Sequence, residues 1–597
     1  MICRPENLPI WRFARGGAAA FVLMLAACSP AAPETPPLDR ARLALAAKDG
    51  LGAEIILRGM LKQGTPLPEV AALLGEAELQ QNQIADARGW LESADFSPET
   101  RGLGFHMLGR VEMAEGHLPE AGKAFDLALQ STPDNPELWV DIGRLRYLGG
   151  EQRQAVEASL RAVELGPGNV AALQFRAQLL RDAEGPGAAL PLYEAALERN
   201  PDNLTLLGDY AATLGEFGRA KDMLTVVRQM AALDENNPQA FFLQAVLAVR
   251  GGEYDLARNL LARSADPKRE TPAAMMLSAI IDMEKGNYAS ASQTLDRLER
   301  LQPDNQRIRL LSARSLALGG NHRELISRFR ARALAPGAPP YLITLVGRSH
   351  EVLGQRDKAA IFLDLAAGPR DNGLRAIPAD TTLDVALTRG PRTGRDAVAV
   401  VRGLIGSVQT GAAIANAEAF LRRNPGSGDA FALAGDAYLS AGQGSKAADY
   451  FAQAAAIRQS WPLTRRMVAA EMAVGRTQSG LTLLQFQLAN NPANTEAAIM
   501  LAEAELATGN ARAAGLLLDL AIANGAARDP NAQMLRARAA LELGDMAAAR
   551  KAAMRAYSLQ RMNADATTLL AEILSESGEE TAQSQALFRK AAKLPPR

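Results

Sequence analysis

The stretch Pro136–Asn169 reads PELWVDIGRLRYLGGEQRQAVEASLRAVELGPGN, and its pattern of large and small residues decides the fold. Trp139 and Ile142 stand at positions 4 and 7; Gly143, Gly150, Ala155 and Ala162 stand at 8, 15, 20 and 27; Pro167 stands at 32. The preceding segment, Gly102–Asn135, places Phe105, Leu108, Gly109, Gly116, Ala121, Phe125, Ala128 and Pro133 in the same register. Working outward, the pattern returns sixteen times between Glu34 and Arg597. Position 8 is Gly or Ala in fifteen of these units, with Val401 the exception, and position 20 is Ala in twelve. Two helices of a hairpin approach closely only where no bulky side chain stands between their axes, so small residues mark the crossing and large ones fill its flanks. The recurrent glycine at position 15, as in Gly116, Gly150, Gly252 and Gly442, suits a left-handed turn that ends a first helix. Closing triplets such as Pro133-Asp134-Asn135 and Pro201-Asp202-Asn203 stop the second helix.

This spacing resembles the tetratricopeptide repeat (TPR), a helix-turn-helix unit. The resemblance implies an all-α, right-handed superhelix of about sixteen units, in which stacked neighbours bury what one hairpin cannot. The phase is lost between Leu374 and Thr393, which contains Pro378, Gly390 and Pro391. Two arrays are therefore expected, residues 38–373 and 394–597, joined by a segment that is either a hinge or docking loop, or an insertion on the solenoid surface.

The first residues follow a different logic. Arg4, Arg12 and Arg15 precede a short apolar run, Gly16–Ala27, of signal-peptide length and too short to span a bilayer. It ends in Leu25-Ala26-Ala27-Cys28, which resembles the lipobox of bacterial lipoproteins. That resemblance implies cleavage of residues 1–27 and acylation of Cys28, whose several chains would hold the protein almost permanently in a membrane. Ser29, where an aspartate would signal retention, implies the outer membrane, facing the periplasm. Residues 28–37, rich in proline, form a tether. Cys3 and Cys28 are the two cysteines, so the mature chain can form no internal disulfide.

The formal charge is −1, and the leader (three Arg and Glu6) contributes +2, leaving about −3 after cleavage. Such balance leaves no electrostatic footprint for nucleic acid. The histidines, His106, His117, His322 and His350, show no i, i+4 pairing, and no second cysteine completes a zinc set, so no metal or cofactor is expected. Gly442-Gln443-Gly444-Ser445-Lys446-Ala447 superficially matches a dinucleotide fingerprint, but helix rather than strand precedes it. Carboxylates scatter without an isolated pair, and no nucleophile–base constellation stands out. A non-enzyme is expected.

Function then falls to the surface. In TPR arrays the concave face comes from the first helix, near positions 2, 5, 9 and 12. Position 9 is Arg in six units: Arg110, Arg144, Arg314, Arg348, Arg402 and Arg538. With His106, Tyr147, Gln174, Gln178 and Arg181 also inward, such a ladder could read carboxylates, or the arginines could simply be solvated. The seventh and eighth units instead present Phe242, Val246, Val249, Met276, Ile280 and Met283, the composition of a peptide-docking patch. The expected partners are other envelope proteins or peptides. The segment from Leu43 to Leu61, LALAAKDGLGAEIILRGML, and Leu74–Leu79 are similar to the opening units of TPR lipoproteins of exosortase (PEP-CTERM) and exopolysaccharide loci. That resemblance implies a scaffold for exopolysaccharide export or surface-protein sorting. Two alternatives stand beside it: an assembly factor for outer-membrane proteins or pili, and a direct polysaccharide binder, which the 5% aromatic content disfavours.

Overall fold

The computed structural model describes residues 35–92, 95–264, 271–303, 305–335, 338–367, 382–390, 393–578 and 581–594. The leader, Cys28 and most of 374–393 lie outside them. The described residues form thirty-three α-helices and one 3-10 turn, with no strand. In chain order the helices fall into sixteen consecutive couples, from Pro37–Ala46 with Gly50–Lys62 to Ala564–Ser577 with Thr581–Ala591. All but the third, Arg101–Glu115 and Leu118–Ser131, pack as hairpins within one unit; hairpins are numbered by this order, and Leu383–Arg389 stands alone between the tenth and the eleventh. We call the first helix of each hairpin A and the second B.

All sixteen position-8 residues are buried, Val401 among them. A Cβ added at Gly143 would lie 2.5 Å from Phe175 Cε1, and one at Gly75 2.5 Å from the Leu91 side chain. The small residue is thus the condition for close helix crossing, as its position in the repeat requires. The position-15 glycines take the left-handed conformation, for example Gly150 at φ +79° and Gly442 at +74°. Where glycine is missing the backbone conformation persists: Lys48, Asn82 and Val408 occupy the same position at φ near +60°. Val408 is β-branched and 80% exposed, so it bears that strain without packing to offset it. Relief of about 1–2 kcal/mol of left-handed strain exceeds glycine's added chain entropy of about 0.5–1 kcal/mol. Val408→Gly is therefore expected to slow hydrogen exchange in helices Gly394–Gly406 and Thr410–Arg423.

The closing asparagines do more than end a B helix. Asn135 Oδ1 accepts from Glu137 N at 2.9 Å, Asn203 Oδ1 from Leu206 N at 3.1 Å and Asn237 Oδ1 from Ala240 N at 2.9 Å, so each caps the next A helix.

Packing divides the chain into two compact units, one ending at Ala114 and one beginning at Glu115. In the first, Ala41, Leu45, Leu57, Val70 and Leu74 share one core, and buried Glu78 is held by Arg58 at 3.0 Å and by Trp90 Nε1 at 3.3 Å. The second unit contains hairpins from both sides of 374–393. There the later hairpins pack back onto earlier ones: Arg153 N donates to Gly426 O at 3.2 Å, Gly428 N to Gln152 Oε1 at 3.2 Å, and Gln560 Nε2 to Ala366 O at 2.9 Å. Gly185 and Gly187 approach the backbone of Asn490 so closely that a Cβ on either would meet its atoms at 2.9 Å. Repeat periodicity announces neighbour contacts alone; these contacts link hairpins far apart in sequence.

Candidate functional site

Between the fourth and sixth hairpins the A helices Pro136–Leu148, Val170–Ala183 and Leu204–Phe217 carry a polar ladder. Tyr147 Oη donates to Asp182 Oδ2 at 2.5 Å, and Gln174 and Gln178 both donate to Asp209 Oδ2, at 2.8 and 3.0 Å. Arg181 grips Glu216 with two hydrogen bonds, at 2.9 and 2.5 Å. Each rung joins one A helix to the next, because residues one repeat apart lie side by side on stacked hairpins. Beneath them Tyr193 is fully buried, and burial, with Asp209 nearby, pushes its hydroxyl up to about 12. Burial and a hydrogen bond to Glu194 raise Tyr210 likewise to about 12. Both hydroxyls stay neutral across the physiological range.

The position-9 arginines are largely engaged within the fold. Arg144 pairs with Asp141 at 3.1 Å and lies over the Phe175 ring, Arg348 pairs with Glu351 at 2.5 Å, and Arg314 stands 3.9 Å from Glu284. Arg110 is half-buried against Met107 Sδ at 3.7 Å; Arg402 is half-buried beside Asp436; Arg538 is exposed. Apart from exposed Arg538, these arginines stand against groups of their own or an adjacent hairpin rather than as a row of open forks. His106 is buried, and so is His350, whose Nδ1 lies 2.7 Å from Gln355 Oε1. His322 meets Ser349 Oγ at 3.1 Å, and Gly442–Ala447 forms the turn into helix Gly444–Ala455.

The apolar candidates fall into two groups. Phe242, Val246, Val249, Met276 and Ile280 are half-buried on helices Pro238–Arg250 and Pro272–Glu284. Met283 is a correction: it is 5% exposed, packed with Met275, Ala279, Leu295 and Ile308, and offers nothing to a ligand. The reason is that the B helix and the next hairpin close over position 12 there. Five half-buried candidates thus remain, on the A helices of the two hairpins that follow the polar ladder in the chain.

One buried charge cluster escaped the sequence reading. Asp436, fully buried on Gly428–Ser440, accepts from Arg466 Nη1 at 2.6 Å, and Arg402 contributes further positive charge. Burial nevertheless holds its carboxyl above the usual range. Two position-9 residues, Arg402 and Asp436, of opposite sign on adjacent units were the available signal.

A family profile described as tetratricopeptide repeat matches residues 106–170 and 407–462. Two curated relatives align at low identity. The cellulose synthase 2 operon protein C of Komagataeibacter xylinus is 25% identical over 301 residues, 48% of this chain and 22% of that protein. The cellulose synthase operon protein C of Xanthomonas axonopodis pv. citri is 24% identical over 372 residues, 58% of this chain and 24% of that one. The chain thus spans less than a quarter of the length of either relative. Among solved structures, a tetratricopeptide repeat protein from Parabacteroides merdae is 18% identical, with a TM-score of 0.30, covering 39% of this chain and 91% of its own. PilF of Pseudomonas aeruginosa is 16% identical, with a TM-score of 0.31, covering 36% and 99% respectively.

Proposed function

We propose that this chain, whose residues 106–170 and 407–462 match a tetratricopeptide-repeat profile, is a non-enzymatic protein-interaction scaffold serving exopolysaccharide export, anchored through Cys28 to the periplasmic side of the outer membrane. The observation that carries the interaction reading is the half-buried stripe Phe242, Val246, Val249, Met276 and Ile280 on two adjacent A helices. Apolar side chains left partly open suit the apolar anchors of an extended or helical segment. The relatives named for cellulose synthase operons support the pathway, and the lipobox-like Leu25–Cys28 supports the anchor.

The test is a crosslinked pull-down from native membranes with wild type, Cys28→Ser, and Val246→Ser/Ile280→Ser, with circular dichroism confirming the fold. Wild type is expected to capture components of a polymer-export assembly, and the stripe variant to lose them. The Cys28→Ser chain is expected to partition into the soluble fraction. Partners retained by the stripe variant would place binding elsewhere, and capture of outer-membrane or pilus assembly components would replace the export reading.

A further inference from the structure

Where helix Arg356–Ala367 meets the turn between Met546–Leu559 and Ala564–Ser577, the second unit encloses a cleft of about 520 Å³, well within the range of small-ligand sites. Its walls come from hairpins nearly two hundred residues apart in sequence, and a built contact keeps them together. Gln560, buried, donates to Ala366 O at 2.9 Å and accepts from Asn563 Nδ2 at 3.1 Å; Asn563 in turn caps Ala566 N at 3.0 Å.

The lining is one-sided in charge. Among the described residues that line it, Arg348, Arg356, Arg561 and Lys590 stand with a single acid, Glu351, and that carboxylate is taken by Arg348 at 2.5 Å. Among the described residues no carboxylate pairs with Arg356, Arg561 or Lys590. Lys590 is held in place from below, donating to Arg561 O at 2.6 Å and Tyr557 Oη at 3.0 Å, with its ammonium 4.7 Å from the Tyr557 ring centroid. The lining also includes the aliphatic side chains of Leu363, Leu559 and Met562.

We propose that this cleft binds an acidic peptide segment, its carboxylates on Arg356, Arg561 and Lys590 and an aliphatic side chain against the apolar part of the lining. Guanidinium forks match carboxylate geometry, and aliphatic side chains in the same lining favour a segment that mixes acidic and aliphatic residues. An anionic polysaccharide is the weaker fit, because among the described residues no aromatic ring lines the cleft to stack a sugar. This site is separate from the Phe242–Ile280 stripe and does not depend on it.

Fluorescence anisotropy on the full chain tests it, with a dye-labelled Glu-Leu-Asp-Leu-Glu peptide, a Lys-Leu-Lys-Leu-Lys control and an oligogalacturonate competitor. The acidic peptide is expected to bind with an affinity that falls as salt rises, while the basic one does not bind. Arg356→Glu/Arg561→Glu, both exposed, should weaken binding by at least about tenfold through lost charge complementarity. Val246→Ser/Ile280→Ser should leave it unchanged. No binding of the acidic peptide, or binding unaffected by the double charge reversal, overturns the proposal. So does oligogalacturonate bound in its place, which would make the cleft a saccharide site.

Discussion

Arg466→Met is expected to destabilise the hairpins around Gly428–Ser440 by about 3–5 kcal/mol, because it removes the direct partner of a buried carboxylate. Asp436 is fully buried, Arg466 Nη1 donates to it at 2.6 Å, and its other oxygen has no hydrogen-bond partner. A surface ion pair would contribute at most about 1 kcal/mol, so burial is what raises the stakes. Repeat arrays open locally, and the readout is therefore hydrogen exchange in Gly428–Ser440 and Trp461–Ala473, where protection should collapse. Asp436→Leu/Arg466→Met removes both charges and should recover most of the loss, since apolar replacement of a buried pair is often neutral. The pH dependence has a definite sign. Burial raises the folded-state carboxyl above its unfolded value of about 3.9, so its contribution is complete below that value and is lost as pH rises through the folded one. Without Arg466 the carboxyl rises further, and the variant should lose protection more steeply between acid and neutral pH than wild type. Equal protection in Arg466→Met and wild type at neutral pH would show that Arg402 alone satisfies the carboxylate.

Gly143→Val is expected to cost about 3 kcal/mol by overpacking a helix crossing. The added Cβ would meet Phe175 Cε1 at 2.5 Å and Ala158 Cβ at 3.4 Å, and Phe175 is itself buried in the core with Val140 and Leu179. No flexible side-chain end stands there to swing aside, so Pro136–Leu148 must move off its neighbours. Gly59 provides the contrast: it lies inside Gly50–Lys62, and a Cβ there meets nothing within 4 Å. Gly59→Ala should stabilise its helix by about 0.5–1 kcal/mol, through helix propensity and a less flexible unfolded chain. Hydrogen exchange on both variants checks the pair. Similar effects at the two glycines would mean that position 8 is set by backbone freedom rather than by helix contact.

The sequence by itself determined the repeat and its small-residue crossings: the positions of Gly143, Ala177, Ala211 and their equivalents, all buried, and the left-handed turns at Gly150 and Gly442 follow from local spacing. They are legible because each depends on a hairpin and its nearest neighbour, which recur with the chain. The capping by Asn135 and Asn203 was also written locally, but the proline two residues before each points as well to helix termination. Tertiary structure alone decided which inward positions stay open. Met283 and Ile280 stand on the same helix face in sequence, yet the next hairpin, through Ile308, closes over the first and leaves the second half-buried. It alone joined Arg466 to Asp436, and Gln560 to Ala366 across 194 residues, forming the cationic cleft. Periodicity specifies the faces of a helix; what covers a face depends on packing between hairpins whose separation in the chain follows no repeat.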